Sequence, residues 1–303
     1  MIQTKRTRAY TMLGIVMLLW AGNSIVGRAV RETIPPFTLA FGRWMGAFLV
    51  LTPFALRKAM AERAQIRTHA RVLLLLGGLG VGAFNAFLYS GLRHTTATNA
   101  LLMQATIPPL VLVLGRLLFK DRAAFGQILG VILSTIGVMV IVFRGDLGAL
   151  AGLHVGLGDL LVMCGCLAWA LYTVCLRLRP ALRPETFVWI TFAIGVLTMA
   201  PLAAMEAARG AQVVWNWGTA GAFVYIALFP SVIAYFLYNG AVAQIGAGAA
   251  GQAICLMPLF GAGLAVPLLG EPLRSYHGAA MALILLGVAL GAWGSAGKPA
   301  SAA

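Results

Sequence analysis

The chain contains few charged residues. Only 10% of its 303 residues are Asp, Glu, Lys or Arg, while 61% are hydrophobic and the mean hydropathy is +0.91. Soluble proteins carry about 25% charged residues, so the composition excludes a soluble globular domain. Apolar runs of about 20 residues recur along the whole chain, and each is long enough to cross a bilayer as a helix. The runs lack the alternation of barrel strands. The sequence therefore predicts an all-α integral membrane protein.

Acidic residues are the rarer charged type. Eight Asp and Glu stand against 22 Lys and Arg, which gives a net charge of +14. The basic residues lie in short loops, so they indicate membrane topology and anionic headgroups, not nucleic acid. No Asp or Glu lies in the middle of a predicted span, whereas proton-coupled pumps commonly use an intramembrane carboxylate. This argues against proton-coupled cation efflux and leaves a facilitator, or coupling through other groups, open.

Reactive and metal-binding patterns are also missing. The four cysteines lie in apolar runs without metal-ligand spacing, which predicts buried packing residues; they are Cys164, Cys166, Cys175 and Cys255. No nucleophile–histidine–acid set and no pair of catalytic carboxylates is visible. We therefore expect no enzyme activity, no cofactor and no metal site.

The apolar runs divide into ten predicted spans. With boundaries good to a few residues, they cover about 10–30, 36–56, 71–92, 96–118, 124–144, 156–177, 184–204, 217–239, 245–268 and 275–295. Lys and Arg fall fifteen to six in favour of the side that holds both termini. Positive loops stay on the cytoplasmic side, so both termini are predicted to be cytoplasmic.

Matching segments recur about 150 residues apart. Trp20 and Trp169 are 149 apart, Phe87–Gly91 (FLYSG) matches Phe236–Gly240 (FLYNG) at the same spacing, and Pro108 and Pro258 are 150 apart. Five spans per copy is an odd number, so the second copy enters the membrane from the opposite side. Inverted repeats of this kind are associated with alternating access to a site near the bilayer midplane.

The predicted domain organisation follows from the repeat. It comprises a cytoplasmic N-terminus (1–9), a first five-helix unit (10–144), a periplasmic linker (145–155), a second five-helix unit (156–295) and a cytoplasmic tail (296–303). Glycines spaced four apart at Gly126–Gly130 and Gly287–Gly291 predict small-residue packing faces in the fifth helix of each unit, within or between protomers.

These features resemble the drug/metabolite transporter superfamily in its ten-helix EamA-type branch. The resemblance covers nearly the whole chain. It rests on the aromatic residue in the first helix of each repeat, the proline-containing fourth helix and the acidic end of that helix at Asp121 or Glu271. Within the branch the chain is most similar to the YddG-type amino-acid exporters. The resemblance implies a protein of the bacterial inner membrane that moves small metabolites outward.

Aromatic and uncharged polar side chains near mid-span are the candidate substrate ligands. Trp20 with Asn23, and Trp169 with Tyr172, lie three apart and so share a helix face. Tryptophans at that depth, away from the interfacial aromatic belt, are predicted to stack on substrate, with helix packing as the alternative. The other candidates are Asn85, Tyr89, Asn99, Met103, Tyr235, Tyr238 and Gln252.

Two of these candidates are placed by the direction of their helices. Tyr89 and Tyr238 are predicted to lie at opposite mouths of one pathway, either as gates or as interface anchors. For the polar residues of the fourth and ninth helices, among them Asn99 and Gln252, cavity lining is favoured over helix–helix hydrogen bonding.

Three further residues are predicted to have mechanical roles. Arg43 is the only arginine well inside a span, and such residues are functional candidates. It would either contact a substrate carboxylate or bond to backbone carbonyls, and we favour the structural role. Pro108 and Pro258 are predicted to bend their helices near the midplane and to act as hinges.

The sequence thus predicts an exporter of neutral or zwitterionic metabolites, with aromatic and other large amino acids as the first candidates. It would work by alternating access in the lipid bilayer. We expect a monomer, and a dimer is left open. A sugar-phosphate, nucleotide-sugar or drug carrier is the alternative within the superfamily. A passive channel and an intramembrane enzyme are alternatives of another class.

Overall fold

The computed structural model describes residues 2–95, 103–143, 156–269 and 275–294. In these residues every regular element is helical. Seven helices are long and apolar enough to cross a membrane, and three shorter apolar helices accompany them in the described part. The prediction of an all-α membrane protein is therefore confirmed at this level, and the ten-span inverted repeat stays a prediction.

The helices are numbered in chain order. The first half contains α1 (Ile2–Ala29), α2 (Pro36–Ala61), α3 (Ala70–Leu92), α4 (Ile107–Phe119) and α5 (Phe125–Val142). The second half contains α6 (Leu157–Leu178), α7 (Pro184–Ala208), α8 (Trp217–Ile245), α9 in two segments (Ala247–Ala253 and Leu256–Leu269) and α10 (Ser275–Gly294). A short helix, Arg63–Thr68, connects α2 to α3.

Proline, glycine and capping side chains set several helix ends. Pro36 and Pro184 lie in the first turns of α2 and α7, where a fixed φ suits the helix and no N–H is needed. At the start of α8, Asn216 Oδ1 accepts a hydrogen bond from the Thr219 backbone N–H at 2.9 Å. Gly246 separates α8 from α9. Its φ is +84°, a backbone angle that residues with a Cβ rarely adopt.

Two long helices contain a widened π-helical turn at the same place in the two halves. The turn covers Gly78–Ala83 in α3 and Leu228–Ile233 in α8, an offset of 150 residues. A π turn bonds each carbonyl to the fifth residue onward instead of the fourth, which interrupts the regular ladder. Carbonyl groups in and beside these turns are consequently free to accept hydrogen bonds from other helices.

The proline bends expected in α4 and α9 are corrected by the structure. α4 begins at Ile107 after a turn, so Pro108 lies in its first turn. In α9 a turn at residues 254–255 separates the two segments, and Pro258 is the third residue of the second one. Proline in a first turn removes no helical hydrogen bond and causes no kink. Both prolines follow a helix break instead of bending a continuous helix.

The N- and C-terminal helices meet at one end of the bundle. Arg6 Nη2 donates to the Ala292 carbonyl at 2.8 Å. At the same end Lys58 Nζ lies 2.7 Å from Glu185 Oε1, and Arg177 forms a two-point ion pair with Asp121. We call this the basic end. The opposite, far end holds the buried Glu206, whose Oε2 accepts from the Thr38 backbone N–H at 2.8 Å and hydroxyl at 3.0 Å.

α5 packs most extensively against α10, through the small residues seen in the sequence. A Cβ added at Gly287 would lie 2.3 Å from Ser134 Oγ and 2.6 Å from the Gly130 carbonyl oxygen. Gln252 of α9 closes the contact, because its Nε2 donates to the Gly287 carbonyl at 2.7 Å. The predicted glycine packing faces therefore lie against each other within one chain.

This contact predicts that Gly287→Ala destabilises the protein. The added methyl group has to push α5 and α10 apart, and overpacking of this kind costs about 1–3 kcal/mol. The apparent Tm of the purified protein in detergent should fall. Gly278→Ala is the matched control on α10, since no heavy atom from another described helix lies within 4 Å of a Cβ added there. Equal Tm values for the two variants would contradict the packing argument.

Candidate functional site

Aromatic side chains from α1, α6 and α8 meet at the centre of the bundle. The ring centroids of Trp20 and Trp169 are 5.2 Å apart with their planes at 83°. Tyr238 lies 5.2 Å from Trp20 and 5.5 Å from Trp169, and Tyr235 lies 6.3 Å and 6.1 Å from the same rings. With Tyr172, 5.3 Å from Trp169, these residues form what we call the central aromatic cluster. The two tryptophans pack edge to face against each other.

Hydrogen bonds hold the tyrosines of this cluster. Tyr172 donates to Asn239 Oδ1 at 2.7 Å, and the hydroxyl groups of Tyr238 and Thr173 are 2.9 Å apart. Tyr235 donates to the Gly80 carbonyl at 2.9 Å, an acceptor inside the π turn of α3. All of these side chains are buried. The network fills the centre between the tryptophans and the basic end, because α6 and α8 both run towards that end.

The position of Tyr238 differs from the predicted one. A place at a pathway mouth would leave its side chain partly exposed, but it is 0% exposed and packs on both tryptophans. Tyr238 lies seven residues before the end of α8, about two helical turns from it, and so it reaches the centre of the bundle. Tyr89 does lie near the far end, partly exposed, with its ring 6.4 Å from that of Phe37.

Side chains on the far-end side of the tryptophans are more open. Asn23 follows Trp20 by one helical turn, is partly exposed and makes no hydrogen bond within the described residues. Phe84 of α3 contacts Trp169 with centroids 5.1 Å apart. Asn85 is buried, and its Nδ2 donates to the Val81 carbonyl of the same helix at 2.7 Å. Asn85 thereby donates to a carbonyl inside the π turn of α3.

The π turn of α8 holds Arg43. The Pro230 carbonyl accepts hydrogen bonds from Arg43 Nη2 and from Trp20 Nε1, both at 3.0 Å. Arg43 Nε donates to Ser231 Oγ at 2.7 Å, and its guanidinium carbon lies 4.4 Å from the centroid of the Trp44 ring. Through these contacts the Arg43 side chain ties α2 to the widened turn of α8, and the choice between a structural role and a substrate contact stays a prediction.

The candidates of α4 and α9 lie beside the two helix breaks. Met103 is partly exposed, and its carbonyl accepts from the Thr106 hydroxyl at 2.5 Å. Gln252 is buried and bonds to α10, as described above, so it performs the helix–helix bonding that was the less favoured alternative. A small cavity lies between the breaks, lined by Gln104, Ala105, Val138, Ile254, Cys255, Met257 and Pro258. Asn99 and Glu271 lie outside the described residues.

Sequence reasoning missed three contributors to this centre. Trp44 packs on Phe192 and Tyr235, at centroid distances of 5.4 Å and 5.5 Å. The carbonyls of Gly80 and Pro230, both inside the widened turns, accept hydrogen bonds from side chains of other helices. Pro230 in the middle of an apolar run is the one sequence signal that marks an irregular turn.

Comparison with known proteins identifies the family. The profile of the EamA-like transporter family matches residues 7–143 and again residues 156–292. The chain belongs to this family. It is a multi-pass membrane transporter and not an enzyme, as predicted, and the EamA assignment within the drug/metabolite transporter superfamily is confirmed.

Individual relatives are also named as transporters, two of the three below without a stated substrate. An uncharacterized transporter of Archaeoglobus fulgidus is 31% identical over 270 residues, 88% of this chain and 90% of its own. The uncharacterized transporter YetK of Bacillus subtilis is 27% identical over 291 residues, 94% and 86% of the two chains. The biotin transporter of Escherichia coli is 23% identical over 248 residues, 79% and 78%.

A solved crystal structure shows the same fold. It covers 94% of this chain and 96% of its own, with a TM-score of 0.74 at 18% identity. At that identity the likeness extends to the fold alone. The narrower similarity to YddG-type exporters stays a prediction.

The central hydrogen bonds predict that Tyr235→Phe destabilises this transporter. Removing the hydroxyl leaves the buried Gly80 carbonyl without its donor, at a cost of about 1–3 kcal/mol. Thermal unfolding in detergent should show a lower Tm than wild type. Tyr225→Phe, on the same helix, is the control, because the Tyr225 hydroxyl makes no hydrogen bond in the described part of the chain. A Tyr235→Phe variant as stable as the control would refute the assignment.

Proposed function

We propose that this EamA-family transporter exports small metabolites with an aromatic or apolar body, aromatic and other large neutral amino acids first. The observation that carries the proposal is the central aromatic cluster, which offers ring faces and edges for stacking. Trp20 and Trp169 would part to admit the substrate between them. Asn23, partly exposed beside Trp20, would bind its polar groups together with Asn85, Asn99, Tyr172 and Gln252 after rearrangement of the bonds described above.

We further propose that the chain is built from two inverted five-helix repeats, 10–144 and 156–295, with both termini cytoplasmic in a bacterial inner membrane. The double match of the family profile and the 150-residue offset of the π turns support this organisation. The opposite courses of α1 and α6 support the inversion: α1 leaves the basic end, where Arg6 lies, while α6 ends there at Arg177. The basic end would then face the cytoplasm.

In the proposed alternating-access cycle, the described conformation is closed towards the basic end. Opening that end would break the Tyr172–Asn239 bond of the centre and the ion pairs Lys58–Glu185 and Arg177–Asp121. These are hydrogen-bonded contacts between separate helices, which can exchange without unfolding any helix. Met103 and Tyr89 would line the route outside the centre, and Tyr238 would line it at the centre.

The sugar-phosphate or nucleotide-sugar alternative has less support. A phosphate carrier needs several inward-facing cations to bind a dianion, and Arg43 is the one buried basic side chain in the described part of the chain. The name of the Escherichia coli relative makes biotin a reasonable member of a transport screen.

The stacking role predicts that Trp20→Ala and Trp169→Ala each reduce transport of labelled phenylalanine. Loss of a stacked ring should lower flux into proteoliposomes at subsaturating substrate by about tenfold. Trp293→Ala is the control, because that tryptophan is 75% exposed at the end of α10. Full phenylalanine flux in both central variants, at matched reconstitution, would rule out stacking on these residues.

The two helix breaks predict a hinge at Pro108 and Pro258. Replacing both by alanine restores a backbone N–H at each position, which allows α9 to continue through its break, while Pro109 still limits the continuation of α4. Discontinuous helices are moving parts in other transporters with inverted repeats, so the double variant should lose turnover while substrate affinity changes little. Pro201→Ala, at an exposed proline within α7, serves as the control. Unchanged turnover in exchange assays would count against the hinge.

A further inference from the structure

Arg43 is a buried cation without a carboxylate partner among the described residues. Its side chain is only 7% exposed. The described carboxylates are engaged elsewhere: Glu32 with Arg31, Glu62 with Arg183, Asp121 with Arg177, Glu185 with Lys58, Glu206 with Thr38 and Asp159 with Thr95. Arg43 instead bonds to Ser231 Oγ and the Pro230 carbonyl, both uncharged.

These neutral acceptors complete hydrogen bonds with the Arg43 guanidinium but do not compensate its positive charge. Burying an ion without a counter-charge is unfavourable, because the lost hydration of the ion is not replaced. A guanidinium has five N–H donors, and the recorded bonds use only Nε and Nη2. Arg43 Nη1 makes no hydrogen bond in the described residues. The site therefore favours an additional, negatively charged ligand.

The surroundings of Arg43 specify the rest of such a ligand. Trp20 donates to the same Pro230 carbonyl as Arg43, so the guanidinium and the indole N–H meet at one oxygen atom. Trp44 lies under the guanidinium, and its ring also packs on Tyr235 of the central aromatic cluster. A charged group at Arg43 would thus lie directly beside aromatic surface. An arginine fork matches a planar carboxylate well.

We propose that the substrate supplies the missing negative charge: it is a small organic monocarboxylate whose carboxylate binds Arg43 and whose aromatic or apolar body contacts Trp20 and the central aromatic cluster. This inference rests on the proposed substrate site, and it adds that the carboxylate is required while an amino group is not. Deaminated acids should bind as well as amino acids, and the corresponding amines should not bind.

Three probes with the same phenylpropyl body separate the charge from the ring: 3-phenylpropanoate, 3-phenylpropan-1-ol and 3-phenylpropan-1-amine. Thermal shifts of the purified full-length protein in detergent measure their binding. Only the acid should raise the Tm of the wild type. Arg43→Gln should weaken the apparent affinity for the acid by about tenfold or more. Arg209→Gln, at an exposed arginine at the end of α7, should leave it unchanged.

Two more variants distinguish a ligand from a structural tie. Arg43→Lys keeps the charge and should retain the preference for the acid at lower affinity. Ser231→Ala removes a hydrogen-bond partner of Arg43 and should lower stability while preserving that preference. Both results stand even where Arg43→Gln does not fold. Wild-type protein that binds the alcohol or the amine as well as the acid, or binds none of the three probes, overturns the inference, and so does an Arg43→Gln variant that keeps the acid preference.

Phenylalanine flux in proteoliposomes tells the two proposals apart. Flux without any preference for the acid probe leaves the amino-acid transporter standing and eliminates the role of Arg43. Selective binding of the acid without amino-acid flux has the opposite meaning: the carboxylate site stands, and the amino-acid assignment fails.

Discussion

The carbonyl group of Pro230 connects α1, α2 and α8 beside the central aromatic cluster of this transporter. It accepts hydrogen bonds from Trp20 on α1 and Arg43 on α2, and it lies in the π turn that interrupts the regular helical ladder of α8. In the apolar interior of a membrane no water can satisfy a freed carbonyl. The widened turn, the indole and the guanidinium therefore require one another, and the placement of the aromatic rings follows from that mutual requirement.

The equivalent turn in α3 is satisfied by different donors. Gly80 accepts from Tyr235 and Val81 from Asn85, both through neutral groups. The two halves thus share a backbone irregularity but differ in side chains, and only the second-half turn binds a charged residue. The proposed substrate site would therefore be asymmetric, with Arg43 on one side and uncharged tyrosines on the other.

Ion pairs and neutral contacts lie at different levels of the helix bundle. The ion pairs Lys58–Glu185 and Arg177–Asp121 lie at the basic end, while the centre contains neutral hydrogen bonds and aromatic contacts together with Arg43. Ion pairs near the headgroups keep access to water and exchange at low cost. Arg43 at the centre is only 7% exposed, so water compensates little of its charge, and the proposed carboxylate would supply the counter-charge there.

The prediction of an all-α membrane protein held because its signal is local. Hydropathy and the length of each apolar run mark the helices, and seven helices in the described residues are long and apolar enough to cross a membrane. The contact between Trp20 and Trp169 and the bond from Arg43 to a backbone carbonyl come from the structure, and the roles predicted for these residues stay predictions. The sequence analysis favoured a place for Gln252 in the lining of the pathway. A glutamine side chain is long enough either to line a pathway or to form a hydrogen bond to a neighbouring helix. The choice depended on Gly287 approaching closely enough to accept its hydrogen bond.

The sequence by itself determined the membrane class, the transporter family and the apolar runs that become helices, because lipid selects helices through composition and length alone. Only the tertiary structure decided that Tyr238 lies at the centre, that Pro108 and Pro258 follow helix breaks, and that Arg43 has no carboxylate partner among the described residues. Each of these depends on which turn of one helix faces which turn of another. Residues more than a hundred positions apart settle that register together, through hydrogen bonds that no local pattern records.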